Sequence, residues 1–95
     1  MPNTPHELSE SLMLQSAEFG SLTDELVLIL EKKPALWMEL RRDTKSDTSA
    51  ERAWSATLDG MRETTLRLKL RAIEKSMSSI KTMLRVLSDE AHNLF

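Results

Sequence analysis

Three observations predict an all-α fold for this 95-residue chain. Two glycines, three prolines, no tyrosine and 4% aromatic residues leave too little turn and strand chemistry for a sandwich, a barrel or a Rossmann unit. Apolar residues recur four and three residues apart along two long stretches, which is the signature of helix and not of strand. The 40% hydrophobic and 29% charged content suits a folded, helix-rich chain and excludes a disordered tail. The length allows one domain, 1–95. The expected architecture is a long helical hairpin with a coiled-coil C-terminal helix, assembling into a helical bundle: N-terminal helices over 1–42, a turn over 43–49 and a long C-terminal helix over 50–95.

The first element begins near Thr4, a competent N-cap, with Pro5 in the first turn. From there Leu8, Leu12, Gln15, Phe19, Leu22, Leu26 and Ile29 keep a 4-3 spacing with one polar member, placing them on a single stripe. Gly20, followed by Ser21 and Asp24, predicts a kink in mid-course. Lys33-Pro34 predicts a stop or bend, because proline lacks the amide donor and restricts the residue before it. Leu36, Trp37 and Leu40 then form a short continuation.

Residues 43–49, Asp-Thr-Lys-Ser-Asp-Thr-Ser, are the extended polar cluster in which a hairpin turn belongs, with Ser46 or Thr48 as cap of the next helix. A turn centred between Lys45 and Ser46 sets Trp37 and Trp54 opposite one another as a clamp. Thr57 is a further competent cap, and Gly60 costs about 1 kcal/mol relative to Ala inside a helix, so Thr57–Gly60 is a point of interruption.

Beyond Gly60 the pattern is strongest. Leu66, Leu70, Ile73, Met77, Ile80, Leu84, Leu87, Ala91 and Leu94 alternate four and three residues apart with no polar intrusion, a coiled-coil seam about 42 Å long. A second stripe, Trp54, Leu58, Met61, Thr65, Leu68 and Ala72, lies on an adjacent face. The first helix can cover one of these faces, but a two-helix hairpin has no third layer for the other. A homo-oligomer is therefore expected, most simply a dimer of hairpins forming a four-helix bundle, with the seam residues Leu66 to Leu94 as its interface. The mixture of Leu, Ile, Met and Ala in the seam specifies no single oligomer size.

The net charge of −2 conceals an asymmetry: residues 1–40 sum to −5 and residues 41–95 to +3. Between Arg62 and Arg85, seven bases face two acids, Glu63 and Glu74. Two readings follow. The acidic first half can lie antiparallel beside the basic second half and neutralise it, or the bases can meet an anionic partner. With Leu66 at heptad position d, Arg67, Arg71, Lys75, Lys81 and Arg85 share the side away from the seam, a stripe about 27 Å long. Such a stripe can track phosphates, and repetition by symmetry multiplies the attraction. No base-reading motif accompanies it, so any nucleic-acid binding is expected to ignore sequence.

Signals for catalysis are lacking. His6 and Glu10 form an i, i+4 pair with no third ligand nearby, and His92 stands alone, short of the convergent set a metal needs. Asp24-Glu25 and Asp89-Glu90 are adjacent acids that do not face each other on a helix. No nucleophile elbow or phosphate loop occurs. Neither an enzyme nor a cofactor is expected. The chain contains no cysteine, has no apolar run near the length of a membrane span, and begins with a Met1–Glu7 segment unlike a signal peptide, so a cytoplasmic protein is expected.

The run Ser49-Ala50-Glu51-Arg52-Ala53-Trp54, then Thr57–Gly60, Lys81–Leu87 and Glu90–Asn93, resembles a pattern in small helical bacteriophage proteins, over roughly the C-terminal half. In size, helicity, oligomerisation and a Trp followed by bases (Trp37, Arg41, Arg42, Lys45), the chain is also distantly similar to recombination mediators of the UvsY type. That resemblance implies an accessory role in recombination or replication, organising single-stranded DNA on an assembly in the host cytosol. The expectation is then a non-enzymatic, self-associating protein binding nucleic acid through Arg41, Arg42, Lys45, Arg67, Arg71, Lys75, Lys81 and Arg85. The alternative is an adaptor or inhibitor docking on a host or phage protein through helix–helix contacts, with its acidic first helix (Glu18, Asp24, Glu25) or an unfilled seam as the contact.

Overall fold

The computed structural model describes residues 4–93. They form α1 (Pro5–Arg42), α2 (Asp47–Ala56) and α3 (Leu58–Asn93), with no strand among the described residues. Leu94, the last member of the expected seam, lies outside them.

The N-terminus of α1 is built as its sequence requires. Thr4 Oγ1 accepts the Glu7 amide at 3.1 Å, Pro5 occupies the first turn, and the carboxylate of Glu7 sits where the helix dipole favours an anion. The helix then runs to Arg42 without ending, so the stop expected at Pro34 does not occur. A proline in a helix interior costs about 3 kcal/mol. Here the residues on either side of it are held by tertiary packing: Ile29 is buried before it, and Trp37 and Leu40 pack on the same cluster after it. The helix is thus maintained by its buried stripe and not by local propensity.

The turn is shorter than its polar run. It spans 43–46, because Ser46 Oγ accepts the Ser49 amide at 3.1 Å and starts α2 at Asp47. Arg41 ties the turn down, donating from Nε to Asp47 Oδ1 at 2.8 Å and from Nη1 to the Thr44 carbonyl at 3.0 Å.

The C-terminal helix expected over 50–95 is divided at Thr57, within the Thr57–Gly60 point of interruption, and Thr57 is extended (φ −74°, ψ 161°). Its hydroxyl donates to the Trp54 carbonyl at 2.6 Å and accepts the Gly60 amide at 3.0 Å, closing α2 and capping α3 with one oxygen. Thr57→Val keeps the volume and removes both bonds; urea unfolding is expected to show a loss of about 1–2 kcal/mol. An unchanged midpoint would contradict this role.

The break folds α2 back so that all three helices meet at the closed end of the hairpin. Leu26, Ile29, Trp54 and Leu66 form the buried cluster there, with Leu22, Leu30, Trp37, Leu40 and Leu70 packed against it. The two tryptophans therefore share one cluster, Trp54 buried and Trp37 half-buried. Away from this end α1 and α3 alone run antiparallel. Their register is marked by Ser16 Oγ donating to Met77 Sδ at 3.5 Å and by the Glu25–Arg62 ion pair.

The seam on α3 meets the matching stripe on α1. Leu66 and Ile80 are buried, Leu70, Ile73, Met77, Leu84 and Leu87 are half-buried, and Ala91 is exposed. On α1, Leu8 is buried beside half-buried Leu12, Gln15 and Phe19. The contact these residues make is thus with the chain's own first helix, since a short turn holds α1 at high effective concentration beside α3. Two helices enclose a seam from one direction only, which is why most of it stays half-exposed. The result is a rod, 68 × 20 × 19 Å. Its radius of gyration is 19.9 Å, against about 12 Å for a compact domain of this length.

Candidate functional site

The bases singled out from the sequence fall into two groups. Arg41, Arg42 and Lys45 lie at the hairpin tip, where Arg41 is committed to the turn while Arg42 and Lys45 are exposed. Arg67, Arg71, Lys75, Lys81 and Arg85 are all exposed along α3. Arg67 donates from Nε to Glu63 Oε2 at 2.9 Å. Among the described residues the other four form no ion pair, with α1 or with their own helix. At about 1.5 Å rise per residue, Arg71 to Arg85 spans about 21 Å of outward-facing helix.

Among the described residues no acid of α1 forms an ion pair with this stripe. The ion pair between an α1 acid and an α3 base is Glu25 with Arg62, a two-point contact in which Arg62 Nη2 also donates to Glu25 Oε1 at 2.8 Å. The bond from Arg62 holds the Glu25 carboxyl below its ordinary value and raises the guanidinium in return. Arg62 is not part of the outward stripe. The other α1–α3 pair has the opposite sense, a base on α1 and an acid on α3: Lys33 Nζ lies 3.3 Å from Glu63 Oε1.

That second pair belongs to a polar cluster the sequence reading missed. Glu63, whose side chain is 12% exposed, accepts from Trp54 Nε1 at 2.9 Å, from Lys33 and from Arg67. Lys33 also reaches Glu51 at 3.7 Å and stands 5.5 Å from the centre of the Trp54 ring, within cation–π range. Residues from all three helices are tied to one carboxylate. Burial pushes that carboxyl up, but bonds from Arg67, Trp54 and Lys33 together outweigh it, and Glu63 sits below the ordinary carboxylate value. The i, i+4 spacing of Glu63 and Arg67 was the legible part; the reach of Lys33 and Trp54 required the fold.

The surface hollows are shallow. An apolar one of about 340 Å³ lies between α1 and α2 and is lined by Leu30, Lys33, Pro34, Trp37, Met38 and Glu51. A second is a groove bordered by Leu26, Arg67, Leu70, Arg71 and Glu74, so the basic stripe flanks the α1–α3 seam on the side that also carries Lys33 and Glu63. Two buried polar atoms, Gln15 Oε1 and Trp37 Nε1, have no hydrogen-bond partner in the chain.

Among the described residues no three His, Asp or Glu side chains converge to hold a metal ion. Among them also, no helix is long and apolar enough to cross a membrane. Comparison with protein-family models, curated proteins and solved structures finds no match for this chain.

Proposed function

We propose that this protein binds nucleic acid through phosphates, without reading sequence and without catalysis, as a self-associating accessory protein. The observation that carries the reading is the set Arg71, Lys75, Lys81 and Arg85, exposed on one side of α3 and not paired with the acids of α1. A rigid helix presenting bases at this spacing offers point charges to successive phosphates and releases counterions on binding. Arg67 adds to the stripe while bonded to Glu63, and Arg42 and Lys45 extend the positive surface to the hairpin tip.

The test is fluorescence anisotropy with single-stranded DNA of mixed sequence at two salt concentrations. Binding is expected at low salt, falling steeply as salt rises, with little difference between sequences. Each Ala substitution among Arg71, Lys75, Lys81 and Arg85 is expected to reduce the log–log salt slope by about 0.7, the value of one contact on a single strand. Absence of binding at low salt would remove the proposal.

The adaptor reading rests on a different observation, the large apolar side chains left on the surface, such as Leu14, Leu28, Leu58 and Leu68. Of the acids assigned to that contact, Glu25 is already engaged by Arg62, leaving Glu18 and Asp24 exposed. Capture of one host protein, abolished by charge reversal at Glu18 and Asp24, would favour the adaptor over nucleic acid.

A further inference from the structure

A charge-free stripe runs along α1 beside its buried face. From Ser9 to Trp37 it steps four and three residues at a time through nine positions, none of them Asp, Glu, Lys or Arg, over about 42 Å of helix. Six of the nine are exposed, Met13 at 74% and Val27 at 45%, and nothing comes within 4 Å of where a Cβ on Gly20 would stand; Thr23 is half-buried, as are Leu30 and Trp37, which also pack on the chain's own core cluster. A 4-3 repeat is the geometry by which one helix packs along another. The order of sizes then says how. Small residues, Ser9, Ser16 and Gly20, occupy the first half, and larger ones, Val27, Leu30, Pro34 and Trp37, the second. Thr23 is at the centre, its hydroxyl donating to its own helix at Phe19 and its methyl left for contact.

Laid antiparallel against itself about Thr23, the stripe is self-complementary. Gly20 meets Val27, Ser16 meets Leu30, and Ser9 meets Trp37. Laid parallel, small faces small and large faces large, leaving gaps and clashes that close packing does not tolerate. Met13 is the one large residue in the first half, and its opposite is a hollow: the register sets it at Pro34, on the wall of the 340 Å³ apolar pocket between α1 and α2. We infer that two copies of this chain pair along this stripe of α1, antiparallel, with the two-fold axis at Thr23 and Met13 of each copy seated in the pocket of the other.

The surface area fits this occupant. The chain exposes 7178 Å², about 1,600 Å² more than a compact protein of its mass. A standard two-partner interface takes about 800 Å² from each side. This contact is separate from the α3 seam, which remains inside each hairpin. Because the basic stripe flanks the same side of the hairpin, the pairing sets both copies of it on one side of the assembly, as two tracks.

Like charges are gathered by this arrangement. Asp24 and its copy flank the axis on one side, and the basic stripes lie on the other. Association is therefore expected to tighten as salt rises, the reverse of phosphate binding, so the two proposals fail independently.

The chain has no cysteine, so single thiols report the contact directly. Thr23→Cys is expected to give a covalent dimer under mild oxidation. Gly20→Cys is expected to do so poorly alone, but efficiently when mixed with Val27→Cys, and Leu28→Cys, on the opposite flank, should pair without becoming cross-linked. Sedimentation equilibrium should give a dimer mass for the unmodified protein. Val27→Asp places a charge in the stripe at an exposed position and is expected to weaken association by about a hundredfold or more with helical content unchanged. A monomer at high protein concentration, a dimer that survives Val27→Asp, or cross-linking through Leu28 and not Thr23 would each overturn the inference.

Discussion

Gly60→Ala is expected to destabilise the protein by about 3 kcal/mol or more, although glycine-to-alanine in a helix ordinarily gains about 1 kcal/mol. A Cβ at this position would lie 1.9 Å from the Trp54 carbonyl oxygen, 2.7 Å from its carbon and 3.0 Å from Ser55 Cα. All three are backbone atoms. The carbonyl already accepts from the Thr57 hydroxyl at 2.6 Å and the Thr57 amide at 2.9 Å, so it cannot retreat without giving up the junction between α2 and α3. The steric loss exceeds the gain in propensity, and the sign reverses. Urea unfolding with a two-state fit measures this; a variant as stable as the parent would mean that the two helices are not so close.

The second large effect is centred on Glu63. Glu63→Ala leaves the Trp54 indole N–H without its acceptor and Lys33 without its nearer carboxylate, in a site where Glu63 is 12% and Lys33 24% exposed. Breaking a fully buried pair costs about 3–5 kcal/mol; the exposure of Lys33 brings the expectation to about 2–3 kcal/mol. The same carboxyl gives a pH signature. Glu63 is held below its ordinary 4.5, so the unfolded chain takes up its proton first as the solution is acidified. The stability it contributes is complete above pH 4.5 and is lost as the pH falls through the lower folded value. Unfolding curves from neutral pH down to about pH 3 should show this loss, and Glu63→Gln should flatten it. A slope that survives Glu63→Gln would assign it to the other depressed carboxyl, Glu25.

Much of the fold was legible because it depends on period. The 4-3 spacing of Leu8 to Ile29 and of Leu66 to Leu87 fixes which face of each helix is apolar whatever the neighbours are, and Thr4, Ser46 and Thr57 each cap the helix that follows them. Pro34 was misleading as a stop for the complementary reason. Its local penalty is real, but packing of Leu26, Ile29, Trp37 and Leu40 around it is worth more, and that sum does not appear in a local window. The basic stripe was visible as a pattern; that Arg71, Lys75, Lys81 and Arg85 stay clear of the α1 acids was not, since it depends on the angular offset between the two helices.

The sequence by itself determined an all-α hairpin, its capped ends and the apolar faces of its long helices, because caps and periodicity act within a few residues. Only the tertiary structure decided that α1 continues through Pro34, that the Trp54 carbonyl closes over Gly60, and that Lys33, Trp54 and Arg67 converge on Glu63. Those features arise where atoms distant along the chain compete for the same space or the same carboxylate, and such competition is resolved only when the helices are packed together.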